Sequence, residues 1–289
     1  MNNFKIISDT SCDLPDDLIE KYDIGLVPFK ITFDNGNTYL RERFDITIDE
    51  IYDKLEVKGV FPKTSLPSVM DYADKFRPYL EEGRDVFCVC LTSEWSGSYQ
   101  SAVNAAQMLL EEFPERKIKV LDSRLVTRLQ GFIVTDIAEY REEGKSIDEI
   151  YDLVESYKND SLIYLTLETL EYLQKGGRIG KVSALAGILL NIKPILMVEN
   201  GTVAPHSKIR GRKKALAEVV DLAAEFLKGR ENDYRCWVLS SRYEDDANAM
   251  AAHAKEKGIP ILGVGKIGTT VTVHGGLGIT GIIMIKKRP

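Results

Sequence analysis

The 289-residue sequence lacks the motifs that identify many nucleotide-binding and membrane proteins. It has no Walker A motif, so we do not expect it to hold ATP in a P-loop. No stretch approaches the roughly 20 apolar residues that a membrane-spanning helix needs. Residues 1–5 (MNNFK) do not resemble the apolar region of a secretory signal. We therefore expect a cytoplasmic protein.

Cysteine and histidine are both scarce. The four cysteines form no CxxC pair, and the three histidines, His206, His253 and His274, have no metal-ligand spacing. Cys88 and Cys90 alternate along the apolar residues 86–91, which predict a buried strand, so we expect both thiols to be packing groups. The sequence predicts no metal site and no other cofactor.

Two further motifs are absent or incomplete. Residues 263–268 (GVGKIG) match GxGxxG, but a dinucleotide site requires a helix directly after the motif. The β-branched residues 269–273 (TTVTV) predict a strand instead, so we do not expect a dinucleotide. No GxSxG nucleophile elbow is present, which disfavours a hydrolase built on serine and histidine. The formal net charge of −6 argues against general nucleic-acid binding.

The order of predicted elements indicates an α/β protein with two domains. Residues 1–160 alternate strands and helices, which predicts a mainly parallel sheet in an α/β/α sandwich. Two sequences of the capping-box type, at residues 47–50 (TIDE) and 146–149 (SIDE), open predicted helices. We place the domain boundary near residue 160.

The remaining residues, 161–289, predict an α+β domain with a mixed sheet. Asn200-Gly201 between two apolar runs is a strong hairpin signal. Residues 182–191 are apolar on nearly every face, which predicts a helix that is buried or lines a cavity. We expect a ligand to lie between the two domains.

Two hydroxyl-rich turns precede predicted helices, at residues 64–68 (TSLPS) and 92–101 (TSEWSGSYQS). A helix start offers free backbone N–H groups, and the neighbouring hydroxyls add further donors, so such a turn suits an anion. Serine and threonine also favour helix N-caps for purely structural reasons. Two such turns together predict a site for a carboxylate or phosphate group.

An ordered set of motifs runs along the chain. Its members are residues 6–14 (IISDTSCDL), 64–68 (TSLPS), 91–102 (LTSEWSGSYQSA), 121–123 (LDS), 172–179 (YLQKGGRI), 191–196 (NIKPIL) and 210–214 (RGRKK). The set resembles the DegV family, bacterial fatty-acid-binding proteins of the EDD fold, over the whole chain. The sequence departs from the family pattern at Trp95, often leucine, at Ser98, often threonine, and at residues 274–278 (HGGLG), which lack the proline of an HxGPG pattern.

The resemblance implies a protein that buries one long-chain fatty acid between its domains. It implies a carrier that presents the carboxylate to a separate fatty acid kinase, and hence no enzyme activity of its own. By this resemblance Thr64 and Ser93 are expected to contact the carboxylate. Supporting roles are expected for the other candidate residues of the head-group site, namely Ser65, Ser96, Gly97, Arg178 and His274.

Alternatives to these assignments remain at this stage. His274 could be a structural turn residue, and Arg178 a surface residue near a helix end. An enzyme for a small acidic or phosphorylated substrate would need a short polar pocket and would depend on His274 or His206. A sensor that holds the lipid as a structural ligand would bind it without passing it on.

The basic run predicts a docking surface for an anionic membrane or the kinase, or only a solvated helix start. Its residues include Lys208, Arg210, Arg212 and Lys213.

Overall fold

The structure is a computed structural model that describes residues 4–34, 36–57, 59–185 and 191–289. The strands are β1 (Phe4–Asp9), β2 (Ile24–Val27), β3 (Lys30–Thr32), β4 (Leu40–Arg41), β5 (Lys63–Ser65), β6 (Asp85–Cys90), β7 (Ile118–Asp122), β8 (Ser161–Thr166), β9 (Ile192–Glu199), β10 (Thr202–Arg210), β11 (Tyr234–Ser240), β12 (Ile261–Lys266) and β13 (Thr280–Lys286).

Helices occupy much of the remaining chain. The α-helices are α1 (Asp16–Lys21), α2 (Ile48–Glu56), α3 (Val69–Glu81), α4 (Ser98–Glu112), α5 (Thr127–Glu142), α6 (Ile147–Tyr157), α7 (Glu171–Lys175), α8 (Arg212–Leu227), α9 (Glu244–Glu256) and α10 (Thr269–Gly275). Short 3-10 turns span Thr10–Cys12, Gly180–Leu185 and Glu231–Asp233.

The first half of the chain contains a parallel sheet in the order β2-β1-β6-β7. Every residue of β1 is buried, as expected for a parallel strand covered on both faces. Helices α3 and α4 pack against one face of this sheet and α5 against the other. The predicted parallel α/β/α arrangement is confirmed.

The second half contains a mixed sheet in the order β10-β9-β8-β13-β11-β12. Only the β11–β12 pair is parallel. Strands β9 and β10 form an antiparallel hairpin across Asn200-Gly201, which confirms the turn prediction. Helices α8 and α9 cover one face of the sheet, where they form an apolar core.

Helix α5 lies between the two sheets and contacts β1, β6 and β13. It is buried on nearly every face, and its side chains join one apolar core that receives residues from both sheets. On α5, the carboxylate of Asp136 accepts two hydrogen bonds of 2.6 Å from the guanidinium of Arg235 on β11, and Tyr157 also donates to it. This buried ion pair fastens the central helix to the second sheet.

A smaller antiparallel sheet, in the order β4-β3-β5, places Thr64 beside the second half of the chain. Helix α2 lies between β4 and β5 in the chain and begins with a complete capping box from Thr47 and Glu50. A second capping box, from Ser146 and Glu149, opens α6. Both capping predictions are confirmed, because in each box the side chains exchange hydrogen bonds with the backbone N–H groups that a helix start leaves free.

Two predicted elements differ from the structure. Residues 269–273 form most of helix α10, so the predicted strand is wrong. Residues 180–185 form a 3-10 turn in place of the start of the predicted apolar helix, and residues 186–190 lie outside the described residues. Val182 and Leu185 are nevertheless buried in the core, as their apolar character predicts.

The thiols of Cys88 and Cys90 are fully buried, as predicted, and so are those of Cys12 and Cys236. Burial raises the pKa of Cys12 and of Cys236 to about 12, because a thiolate is poorly solvated inside the protein. In the part of the chain that the structure describes, no helix is both long and apolar enough to cross a membrane.

Candidate functional site

A cavity of about 280 Å³ lies between the two halves of the chain. Apolar side chains from the mixed sheet, from the segments that follow β6 and precede α5, and from helix α10 form most of its wall. They include Leu91, Val126, Ile163, Leu165, Leu196, Val198, Leu239, Ile279 and Ile283. Such a wall suits a hydrocarbon and disfavours a highly polar ligand.

The predicted polar residues of the wall come from four different segments of the chain, and Thr127 at the start of α5 and Thr270 on α10 also line it. Thr64 and Ser65 lie on β5, and Ser96 lies in the turn before α4. Arg178 follows α7, and His274 lies in the last turn of α10. The structure therefore brings together five of the seven residues that the sequence predicts for the site.

Thr64 and His274 are in direct contact, because Thr64 Oγ1 lies 2.8 Å from His274 Nε2. This hydrogen bond joins the small β-sheet of the first half to helix α10 of the second. His274 Nδ1 is buried and has no hydrogen-bond partner among the described residues. A buried ring nitrogen without a partner is unfavourable, and Nδ1 lies against Gly176, so this nitrogen is a local cost of the way the ring is packed.

Electrostatics favour a neutral imidazole at His274. Burial, followed by the nearby positive charge of Arg178, lowers its pKa to about 4. The ring packs against Gly176, where an added Cβ would overlap Nδ1. Gly176 has an ordinary helical conformation, so its lack of a side chain serves to make room for the histidine.

Arg178 supplies the positive charge at this site. Its guanidinium donates to the carbonyl of Gly176 at 2.6 Å and to that of Trp95 at 3.4 Å. No carboxylate forms an ion pair with Arg178 in the described ranges. The side chain is exposed and lines the cavity, so an anionic group of a ligand can approach it.

The turn that carries Ser96 is fixed by Asp9 at the end of β1. The Asp9 carboxylate accepts hydrogen bonds from the backbone N–H of Leu91 at 2.9 Å and from Ser98 Oγ at 3.0 Å. Gln130 Nε2 on α5 donates to the same carboxylate at 2.9 Å. Asp9 is fully buried and burial raises its pKa, so these donors are needed to hold it there.

Ser93 and Gly97, the two other predicted site residues, do not line the cavity. Ser93 is exposed, and its hydroxyl donates to Asp122 at 2.6 Å on the surface. Gly97 is the N-cap of α4, with Leu66 as the nearest neighbour of an added Cβ. The sequence pattern places both residues in the right turn but does not show which of its hydroxyls points inward.

The GxGxxG sequence does not form a phosphate-binding loop. Gly263 and Gly265 lie within β12, where the ring of Trp237 packs closely over both. The start of α10 is occupied by protein carboxylates, because the N–H groups of Gly268 and Thr270 donate to Asp13 and Glu42. The prediction that no dinucleotide binds here rested on a strand after the motif, which is wrong; these contacts give a different reason for the same expectation.

The basic run divides into exposed and buried residues. Lys208, Arg210 and Lys213 are exposed. Arg212 is mostly buried, and its guanidinium donates at 2.9 Å to Asp246 and to Thr280. Arg212 therefore holds the fold together and is not free to meet a partner surface.

Sequence reasoning missed three residues that shape the site, namely Asp9, Glu42 and Gly176. Asp9 and Gly176 stand within the predicted motifs, but a motif does not show which neighbour each residue supports. Glu42 carries no local signal at all, because its partners Thr10 and Thr270 are distant in sequence. No group of three or more potential metal ligands is present among the described residues.

Comparison with known proteins gives consistent results. A family model described as "Uncharacterised protein, DegV family" matches residues 3–287. A DegV domain-containing protein of Clostridium perfringens is 31% identical over 288 residues, covering 99% of this chain and 98% of its own.

Two solved structures extend the comparison to the fold. A stearic acid-binding protein from Eubacterium ventriosum has a TM-score of 0.89 and 32% identity, with 99% of each chain covered. A fatty-acid-binding DegV family protein from Thermus thermophilus has a TM-score of 0.88 and 31% identity, covering 99% of this chain and 100% of its own. The predicted fold class is confirmed, and the chain belongs to the DegV family.

Proposed function

We propose that this protein binds one long-chain fatty acid in the apolar cavity and acts as its carrier. The carboxylate lies at the polar cluster of Thr64, Ser65, Ser96, Arg178 and His274. The carrier presents this carboxylate to a partner fatty acid kinase in the cytoplasm, which forms the acyl phosphate. The protein itself performs no chemistry, needs no cofactor, and holds the ligand between a domain of residues 1–160 and one of residues 161–289.

The observation that carries the proposal is the Thr64–His274 pair at the wall of an otherwise largely apolar cavity. A carboxylate buried without donors is very unfavourable, and this cluster offers hydroxyl, imidazole and guanidinium N–H donors. Because Arg178 has no competing carboxylate among the described residues, it can balance the charge of the ligand.

The tail of the ligand accounts for the affinity. A long saturated fatty acid has about 14 methylenes, and burial of each is worth roughly 0.8 kcal/mol, on the order of 11 kcal/mol before the entropy lost on binding. The head-group contacts then mainly fix orientation and exclude uncharged lipids. The hydroxyl, imidazole and guanidinium donors of the polar cluster account for the preference for a carboxylate.

The head-group assignment is tested by titrating delipidated protein with stearic acid in a calorimeter. Thr64→Val and Ser96→Ala each remove one donor and should weaken binding by about tenfold, the usual value of a hydrogen bond to a charged group. Thr202→Val, the same change as at Thr64 but on strand β10 outside the cavity wall, is the control. Unchanged affinity in both site variants would show that the carboxylate lies elsewhere.

Ser93→Ala should be measured beside these variants. Because the Ser93 hydroxyl donates to Asp122 on the surface, we expect its loss to leave stearic acid binding within about twofold. A tenfold loss of affinity for stearic acid in this variant would show that Ser93 takes part in binding.

The carrier role is tested separately, with a bacterial fatty acid kinase, ATP and the loaded protein. Formation of acyl phosphate supports the carrier role. Stable binding of the fatty acid without acyl phosphate favours a lipid-sensing protein. Failure to bind any fatty acid favours an enzyme that acts on a small acidic or phosphorylated substrate.

A further inference from the structure

A second cavity, of about 620 Å³, lies on the other side of the start of helix α10. Its walls come from the segment after β1, from the segment around Glu42 and Thr47, and from strands β11 and β12. Leu239 lines both cavities, and Gly268 and Thr269 at the start of α10 line the second. The second cavity is therefore a neighbour of the proposed fatty-acid site but has its own walls.

Arg128 is the unusual group in this wall. Its guanidinium lies 5.2 Å from the ring centre of Trp237 and 5.4 Å from that of Phe132. Its Nε is buried without a hydrogen-bond partner, and no carboxylate of the described residues forms an ion pair with it. Burial is also the main cause that lowers the pKa of Arg128. A largely buried cation without an anion is costly, so the site is electrostatically incomplete.

Most of the other charged side chains in this cavity have partners, and Glu42 accepts hydrogen bonds from the hydroxyls of Thr10 and Thr270. Arg43 pairs with Asp16, and Lys266 pairs with Asp49 at 2.7 Å. Asp13 accepts from the N–H of Gly268 at 2.8 Å, and burial raises its pKa well above the usual range, which reduces its negative charge.

Asp17 has no ion pair within the described ranges, but it is exposed and water can solvate it. Asp13 and Asp17 lie near enough to favour the charged guanidinium of Arg128, but neither forms an ion pair with it, so Arg128 is the lining cation without a direct carboxylate partner among the described residues.

The cavity also has apolar surface beside Arg128. Leu14, Leu18, Leu239 and Val264 line it, together with the ring of Trp237. The two glycines at positions 263 and 265 let that ring lie flat on strand β12, and the ring in turn supports the guanidinium. A stacked guanidinium keeps its N–H donors at the edge, where they can meet two oxygens of one oxyanion.

We propose that this second cavity binds a small organic anion whose carboxylate or phosphate group pairs with Arg128 while its apolar body packs on Trp237 and the neighbouring aliphatic side chains. The site is separate from the fatty-acid cavity and does not depend on the function proposed above.

The two tryptophans of the chain make the test specific, because Trp95 lines the first cavity and Trp237 lines the second. In a Trp95→Phe variant, the fluorescence of Trp237 alone reports the second cavity. This variant is titrated with phenyl phosphate, with benzoate and with uncharged benzyl alcohol. We expect a saturable change with at least one anion and none with the alcohol, and the two anions distinguish phosphate from carboxylate.

Arg128→Met in the same background keeps the length of the side chain and removes its charge. It should weaken binding of the anion by about tenfold or more, the value of a hydrogen-bonded charge. Arg230→Met is the matched control, because Arg230 also stacks on two rings, those of Phe226 at 4.1 Å and Tyr234 at 5.4 Å, but lies outside this cavity.

Three results would overturn the proposal. They are the absence of a saturable response to either anion, an equal response to benzyl alcohol, and unchanged binding in Arg128→Met. The comparison of charged and uncharged probes needs no substitution of Arg128, so it decides the matter even if that variant fails to fold. Thermal unfolding without ligand shows whether Arg128→Met is folded. Removal of a cation without an ion-pair partner is expected to leave this variant at least as stable as the parent protein.

Discussion

At the scale of single residues, His274 links the charge of the site to pH. The imidazole is held between Thr64 and Gly176 and is neutral at pH 7, because its pKa lies near 4. A neutral ring can either donate or accept at Nε2, so Thr64 and a ligand oxygen can share it without the cost of a buried cation.

The depressed pKa predicts a pH-dependent loss of stability. Between about pH 6.5 and pH 4 the unfolded chain binds a proton on His274 that the folded protein does not, so stability falls as the pH falls through this window. Relative to His274→Gln, the delipidated protein should lose about 3 kcal/mol of unfolding free energy between pH 7 and pH 4. Urea unfolding at several pH values measures this, and parallel curves for both proteins would contradict the low pKa.

Residue types were predictable at the site, but their orientations were not. The motifs include Thr64, Ser65, Ser96, Arg178 and His274, and these five residues line the same cavity, whereas their role in binding stays a prediction. Orientation within the turn at residues 92–97 depends on Asp122 and Asp9, which come from other strands. Long-range partners of this kind have no local sequence signal.

At the scale of elements, α10 is a helix made from a strand-like sequence. Its β-branched residues 269–273 have low helix propensity. Two carboxylates from the first half of the chain compensate, because Asp13 and Glu42 accept hydrogen bonds from the N–H groups at its start. The capping-box sequences predicted the starts of α2 and α6, whereas α10 depends on tertiary contacts.

Glu42 is the residue on which α10 is expected to depend most. Its side chain is buried, with 1% of its surface exposed. Its carboxylate accepts hydrogen bonds from the Thr270 N–H at 3.0 Å and from the hydroxyls of Thr10 and Thr270. Glu42→Ala leaves these donors buried without an acceptor and should cost about 2–4 kcal/mol of unfolding free energy. Glu111→Ala, an exposed glutamate on α4, should change it by less than about 0.5 kcal/mol. Equal urea midpoints for both variants would contradict this role.

At the scale of the whole molecule, the cavity exists because two sheets share one core. Helix α5 lies between them, and its pairing with Arg235 holds the second sheet in place. The order of elements predicted both sheets, since parallel and mixed sheets have different connection patterns. The domain boundary near residue 160 stays a prediction.

We propose that the exposed part of the basic run contacts anionic membranes, which charge reversal tests. Lys208 and Arg210 are exposed on the edge strand β10. Each charge near an anionic surface is worth about 1 kcal/mol, so Lys208→Glu with Arg210→Glu should slow fatty-acid exchange with phosphatidylglycerol vesicles by about tenfold or more. Exchange with neutral phosphatidylcholine vesicles should not change. The control is charge reversal at Lys228 and Lys255, two other exposed lysines. Equal slowing of exchange in the control would show that the effect depends only on the net charge of the protein.

The most direct test of the central claim is organic extraction of the purified protein followed by mass spectrometry. The account predicts close to one long-chain fatty acid for each protein molecule. Absence of fatty acid from the purified protein, together with failure of added stearic acid to bind, would contradict it.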